Sequence, residues 1–124
     1  MAYLLVFFGA GFGGALRHGV NVTLARLLLP GFPLATLTVN VLGSLVMGLL
    51  AGYFAFKGDA SHHWRLFLTT GILGGFTTFS TFSLDVALLW ERGQVLGALV
   101  YVLASFMLAV GGLFAGLSLV RQLV

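Results

Sequence analysis

GILGGFTTFSTFS, Gly71 to Ser83, packs three glycines, three phenylalanines and five hydroxyl side chains into thirteen positions. It lies inside a long apolar segment, yet a helix that only had to cross a membrane has no use for that composition. Glycines lower helix stability, and neighbouring Thr and Ser can satisfy backbone groups freed by a break. The stretch predicts an interrupted transmembrane helix whose interruption serves the function.

The surrounding composition sets the class. The 124 residues are 60% hydrophobic and 7% charged, with a mean hydropathy of +1.11. A water-soluble domain is usually about a quarter charged. Four apolar runs, at about 2–29, 34–56, 64–90 and 94–120, are each long enough to cross ~30 Å of hydrocarbon. The expectation is one all-α domain over 1–124, a four-helix bundle in the lipid bilayer. Pro30-Gly31-Phe32-Pro33 supplies the turn after the first run. Lys57 to His63 reads as an exposed polar loop, and Glu91-Arg92-Gly93 closes the third run. The chain is apolar from its start with no Lys or Arg ahead, so the first helix is expected to be retained rather than cleaved as a signal. Gly9, Gly11, Gly13 and Gly14, and the Gly48/Gly52 pair, read as small-residue packing faces.

Several function classes drop out. There is no cysteine, which removes disulfides and thiolate metal sites. His18, His62 and His63 do not form a zinc pattern. The three acids are Asp59, Asp85 and Glu91, and no Ser–His–Asp or metal-hydrolase arrangement is present, so an enzyme is not expected. The net charge of +3 comes from scattered basic residues at membrane flanks, and no nucleic-acid partner is expected.

With four spans, Lys57, Arg65 and Arg121 fall on one side and Arg17, Arg26 and Arg92 on the other. Three against three gives no preferred orientation. Either another feature fixes one orientation, or the chain inserts both ways and pairs with its inverted self. Four helices are also too few to enclose a hydrophilic path, and a closed two-fold dimer would supply the missing walls.

Polar groups at membrane depth point to a path for a small solute or ion. Asn40 can donate two hydrogen bonds to an anion, or it can join two helices. Phe79 and Phe82, three apart, share a helix face, and their electropositive ring edges can meet a desolvated anion. In a chain with twelve phenylalanines, spacing alone leaves them as ordinary packing. Thr77, Thr78, Ser80, Thr81 and Ser83 can line a track or bond back to their own helix. The third helix is expected to break near Gly74–Thr77, and where its backbone leaves helical geometry at Gly74-Gly75 it would free carbonyls for a hard cation such as Na⁺. Arg17 can draw anions into a vestibule or anchor the interface. Asp85 receives no role beyond capping or local pairing. Tyr101 and Ser105 lie one helical turn apart on the fourth segment.

Gly74-Gly75-Phe76-Thr77-Thr78-Phe79-Ser80-Thr81-Phe82-Ser83, together with Asn40 in TVNVLGS and Arg17 after GFGGAL, resembles the signature of the Fluc (CrcB) fluoride channel family over essentially the whole chain. The resemblance implies an antiparallel, dual-topology homodimer in the cell inner membrane that exports fluoride passively through two pores. It implies that Phe79 and Phe82 contact fluoride with Asn40 beside them. It also implies that the Gly74 and Thr77 carbonyls of both copies hold a structural Na⁺, and that Arg17, Ser80 and Thr81 line the way in. Tyr101 and Ser105 fit the family's line of fourth-helix hydroxyls, whereas Ala109 and Leu113 depart from it. The competing reading is a proton-coupled exporter resembling the small multidrug resistance transporters, also four-span dual-topology dimers, but that class needs an acid in its first helix.

Overall fold

The computed structural model describes residues 1–27, 31–57 and 62–123. Leu28, Leu29, Pro30 and the Gly58–Ser61 part of the expected loop, with Asp59, lie outside the described residues. The described chain is all helical. Helix α1 is Ala2–Leu27 and α2 is Leu34–Lys57. The third segment is composite: α3 at His62–Leu66, a π-helical stretch at Phe67–Leu73, α4 at Gly74–Phe76, and, after a break, α5 at Phe79–Glu91. Helix α6 is Val95–Leu123.

Three segments, Leu34–Phe56, His62–Glu91 and Val95–Leu123, are long and apolar enough to cross a membrane. Helix α1 has the length, 26 residues, but Arg17 and His18 dilute its apolar run. The largest apolar side chains mostly point outward: Phe7 is 70% exposed and Phe106 is 65% exposed. In lipid such residues need no burial, because acyl chains are as apolar as the side chains themselves. The chain is a multi-pass membrane protein.

The helix ends follow from local chemistry. Gly31 takes φ +109° and Gly93 φ +79°, values that favour glycine. At the end of α5, Gln94 N–H donates to the Leu89 carbonyl at 2.9 Å and Gly93 N–H to Trp90 at 3.0 Å. This pairing is a Schellman stop, and it turns the chain into α6 within three residues.

With little apolar burial to drive association, helices in lipid depend on close backbone approach. A Cβ on Gly9 would stand 2.9 Å from the Gly71 Cα, and one on Gly75 would stand 2.8 Å from the Ala10 Cα. Gly9 on α1 thus opposes Gly71, Gly13 lies against the backbone of Ile72 and Phe76, and Gly75 lies against that of Ala10. A Cβ on Gly11 or Gly14 would meet nothing within 4 Å among the described residues, so half of the expected α1 packing face is used among them. Gly48 and Gly52 do pack as expected, against Leu113 and Val120 of α6.

The interruption falls at the C-terminal end of the expected stretch. Gly74 and Gly75 are helical, whereas Thr77 (φ −88°, ψ 158°) and Thr78 (φ −151°, ψ 119°) are extended. Gly75, expected to help open the helix, is instead occupied in packing on α1. The helix opens at the threonines because side-chain groups there replace the backbone partners.

Candidate functional site

Thr78 is the N-cap of α5. Its Oγ1 accepts from Thr81 N–H at 3.2 Å and donates to Thr81 Oγ1 at 3.1 Å. Its own backbone pairs with α2: Thr78 N–H donates to Asn40 Oδ1 at 2.8 Å, and Asn40 Nδ2 donates to the Thr78 carbonyl at 3.0 Å. In a continuous helix, Thr78 N–H would have bonded to the Gly74 carbonyl and Thr81 N–H to the Thr77 carbonyl. Both donors are diverted, so the Gly74 and Thr77 oxygens lose those partners. Asn40 therefore makes the interhelical bond that its sequence position allowed, and one Nδ2 proton has no acceptor among the described residues.

A groove of about 510 Å³ opens along this break. It brings together Asn40, Gly74, Thr77, Phe79, Phe82 and Ser105 from α2, the third segment and α6. Phe79 is 77% exposed within one chain, and its ring centroid is 5.5 Å from that of Phe82 at 43°. Ser105 is buried, and its hydroxyl has no hydrogen-bond partner among the described residues. Such an atom is costly at membrane depth unless something fills it. Ala109 and Leu113 continue the same wall, so the departures from a hydroxyl line fall inside the groove.

The remaining expected residues lie elsewhere. Tyr101 is wholly buried among Leu89 and Ala98. Its ring packs on Phe82 at 5.1 Å, and its hydroxyl donates to Asp85 Oδ2 at 3.0 Å. Ser80 is exposed, with its Oγ 3.4 Å from Thr78 Oγ1, and Thr81 is taken up by the cap. Arg17 is half-buried on α1 and does not line the groove.

Two features escaped the sequence reading. Asp85 follows Phe79 and Phe82 at three-residue steps and so shares their face, a signal that was present in the spacing. The π-helical stretch is the other. Thr69 Oγ1 donates to the Arg65 carbonyl at 2.8 Å and Thr77 Oγ1 to the Leu73 carbonyl at 3.0 Å, so threonine hydroxyls bond back near each end of it.

The family described as CrcB-like protein, Camphor Resistance (CrcB), matches residues 4–117. The chain belongs to the CrcB family. This CrcB chain is 62% identical over 123 residues to the fluoride-specific ion channel FluC of Rhodopseudomonas palustris, covering 99% of each chain. It is 58% identical to fluoride-specific ion channel FluC 2 of Nitrobacter hamburgensis, again covering 99% of each. Against the fluoride-specific ion channel FluC of Granulibacter bethesdensis it is 56% identical, covering 100% of this chain and 98% of that one. These relatives are named as ion channels, a non-enzymatic class, and the protein is not an enzyme.

Proposed function

We propose that this chain forms a fluoride-selective channel that exports the ion passively across the cell inner membrane, and that it does so as an antiparallel homodimer. The observation that carries the reading is the groove, which Asn40, Ser105, Phe79 and Phe82 line together between apolar spans. Fluoride is small and tightly hydrated, so a path for it must replace water with donors that bear no fixed charge. The spare Asn40 Nδ2 proton and the unpartnered Ser105 hydroxyl are such donors. The Phe79 and Phe82 edges add positive potential without a cation that would trap the ion. Tyr101, Ser80, Thr81 and Arg17 serve the approaches to this centre. The names carried by relatives over nearly the full length support fluoride as the cargo.

The groove is open on one side, and Phe79 stands mostly uncovered in it. A second, inverted copy would wall it off, in keeping with the even split of basic residues. Gly74 also fits such a neighbour. Among the described residues a Cβ there would meet only the Thr69 carbonyl, at 3.8 Å, so their packing does not require glycine. The released Gly74 and Thr77 carbonyls of two copies would hold a Na⁺ as a structural ion. Carbonyl oxygens suit that hard cation, which would offset the repulsion between facing carbonyl dipoles.

A proton-coupled exporter is not favoured, because α1 carries no Asp or Glu and the relatives are named channels. The test is fluoride efflux from liposomes carrying the purified protein, read with an ion-selective electrode without a proton or sodium gradient. Fast fluoride loss with chloride retained is expected. Folded protein that releases no fluoride would sink the proposal.

A further inference from the structure

The row of rings continues past Phe82. Phe82 packs on Tyr101, Tyr101 meets Phe32 edge to face at 5.6 Å, and the Tyr101 hydroxyl reaches Asp85. Beyond Asp85 lies a second cavity of about 180 Å³, walled in part by Phe32, Pro33, Asp85, Leu89 and Arg92. It sits where α5 ends and α2 begins, so it lies at the end of the spans, toward one membrane surface. Asp85 therefore links the two regions: it is bonded to the tyrosine that packs on the groove's phenylalanine, and it forms a wall of the outer cavity.

A carboxylate in that position opposes an anion, and repulsion between like charges grows as the dielectric falls. Arg92 walls the same cavity seven positions further along the chain, two helical turns on and so on the same side. We propose that this cavity is the anion's outer mouth and that Arg92 is a positioning residue there, its charge offsetting Asp85 so that an anion can pass. This rests on the channel reading above. The Schellman stop at Gly93 holds Arg92 at the C-terminal cap of α5, where a cation is also favoured by the helix dipole.

The experiment measures fluoride efflux from liposomes for Arg92→Gln, Arg92→Lys, Asp85→Asn and the double variant Asp85→Asn/Arg92→Gln. Elution of each as wild type on size exclusion serves as the folding control. Arg92→Gln should slow efflux by roughly tenfold or more, with the largest loss at low ionic strength. Arg92→Lys should retain most of the flux. In the Asp85→Asn background, Arg92→Gln should change efflux by less than about twofold, because the charge it offsets is gone. Wild-type efflux in Arg92→Gln, or an equal loss in both backgrounds, would overturn the role of Arg92 and leave the channel reading standing. Absence of efflux from the wild type would overturn both.

Discussion

Asn40 and Thr78 hydrogen-bond in both directions, side-chain amide to backbone, at 2.8 and 3.0 Å. The amide imitates one rung of a β-ladder and lets an extended residue exist in the middle of a membrane span. Without it, a peptide N–H and C=O would face hydrocarbon unpaired, which lipid does not tolerate. One side chain thereby stabilises the break and presents a donor to the groove.

Replacing Asn40 by Ala should destabilise the protein by roughly 1–3 kcal/mol for each of the two backbone groups left unpaired. Thermal unfolding in detergent would measure this. Asn40→Asp keeps the acceptor for Thr78 N–H but loses the donor and adds negative charge. It should therefore abolish fluoride efflux while costing less stability than Ala. Equal stability loss in the two variants would argue against the pairing as the pin of the break.

Gly74 and Gly75 are neighbours with opposite surroundings, and alanine should separate them. Gly75→Ala drives a Cβ into the Ala10 backbone and should cost about 1–3 kcal/mol as overpacking. In Gly74→Ala the new methyl has room within the chain, and better helix propensity should contribute about 0.5–1 kcal/mol to the isolated protomer. Should Gly74→Ala instead weaken self-association, read by analytical ultracentrifugation in detergent, the constraint comes from a second copy. If it leaves both association and efflux intact, the proposed cation site between copies loses its support.

Ser105→Ala removes a buried hydroxyl that has no hydrogen-bond partner among the described residues. Deleting an unsatisfied group should be neutral or mildly stabilising in thermal unfolding. Efflux should nevertheless fall by about tenfold or more, equivalent to roughly 1.4 kcal/mol on the barrier. A loss of stability alongside unchanged efflux would mark Ser105 as a structural residue.

Much of this protein is legible in one dimension. Composition alone specifies a membrane protein, since a chain this poor in charge has no aqueous fold open to it. Gly48 and Gly52 mark a packing face because four-residue spacing puts them on one side of a helix. Gly93 marks a helix stop because only glycine readily takes φ +79°. The GGFTTFSTFS string identifies the family.

Other features depended on partners distant in sequence. GILGGF contains three glycines that local propensity cannot tell apart. Contact with α1 commits Gly71 and Gly75 to packing and leaves Gly74 facing the groove. The same limit narrowed the break from Gly74–Thr77 to Thr77–Thr78, because the amide that holds it open, accepting from Thr78 N–H and donating to the Thr78 carbonyl, comes from Asn40, thirty-eight positions away. Phe79 and Phe82 could be ordinary packing by spacing alone. What puts them beside Ser105 is the docking of α6 on α2, and that docking rests on Gly48 and Gly116 bringing two backbones into contact. Local sequence determines where a helix will weaken and which side chains it carries. Which backbone groups are rescued, and which donors are left over for an ion, depends on the neighbouring helix, because a hydrogen bond at membrane depth must be made by whatever the fold brings within 3 Å.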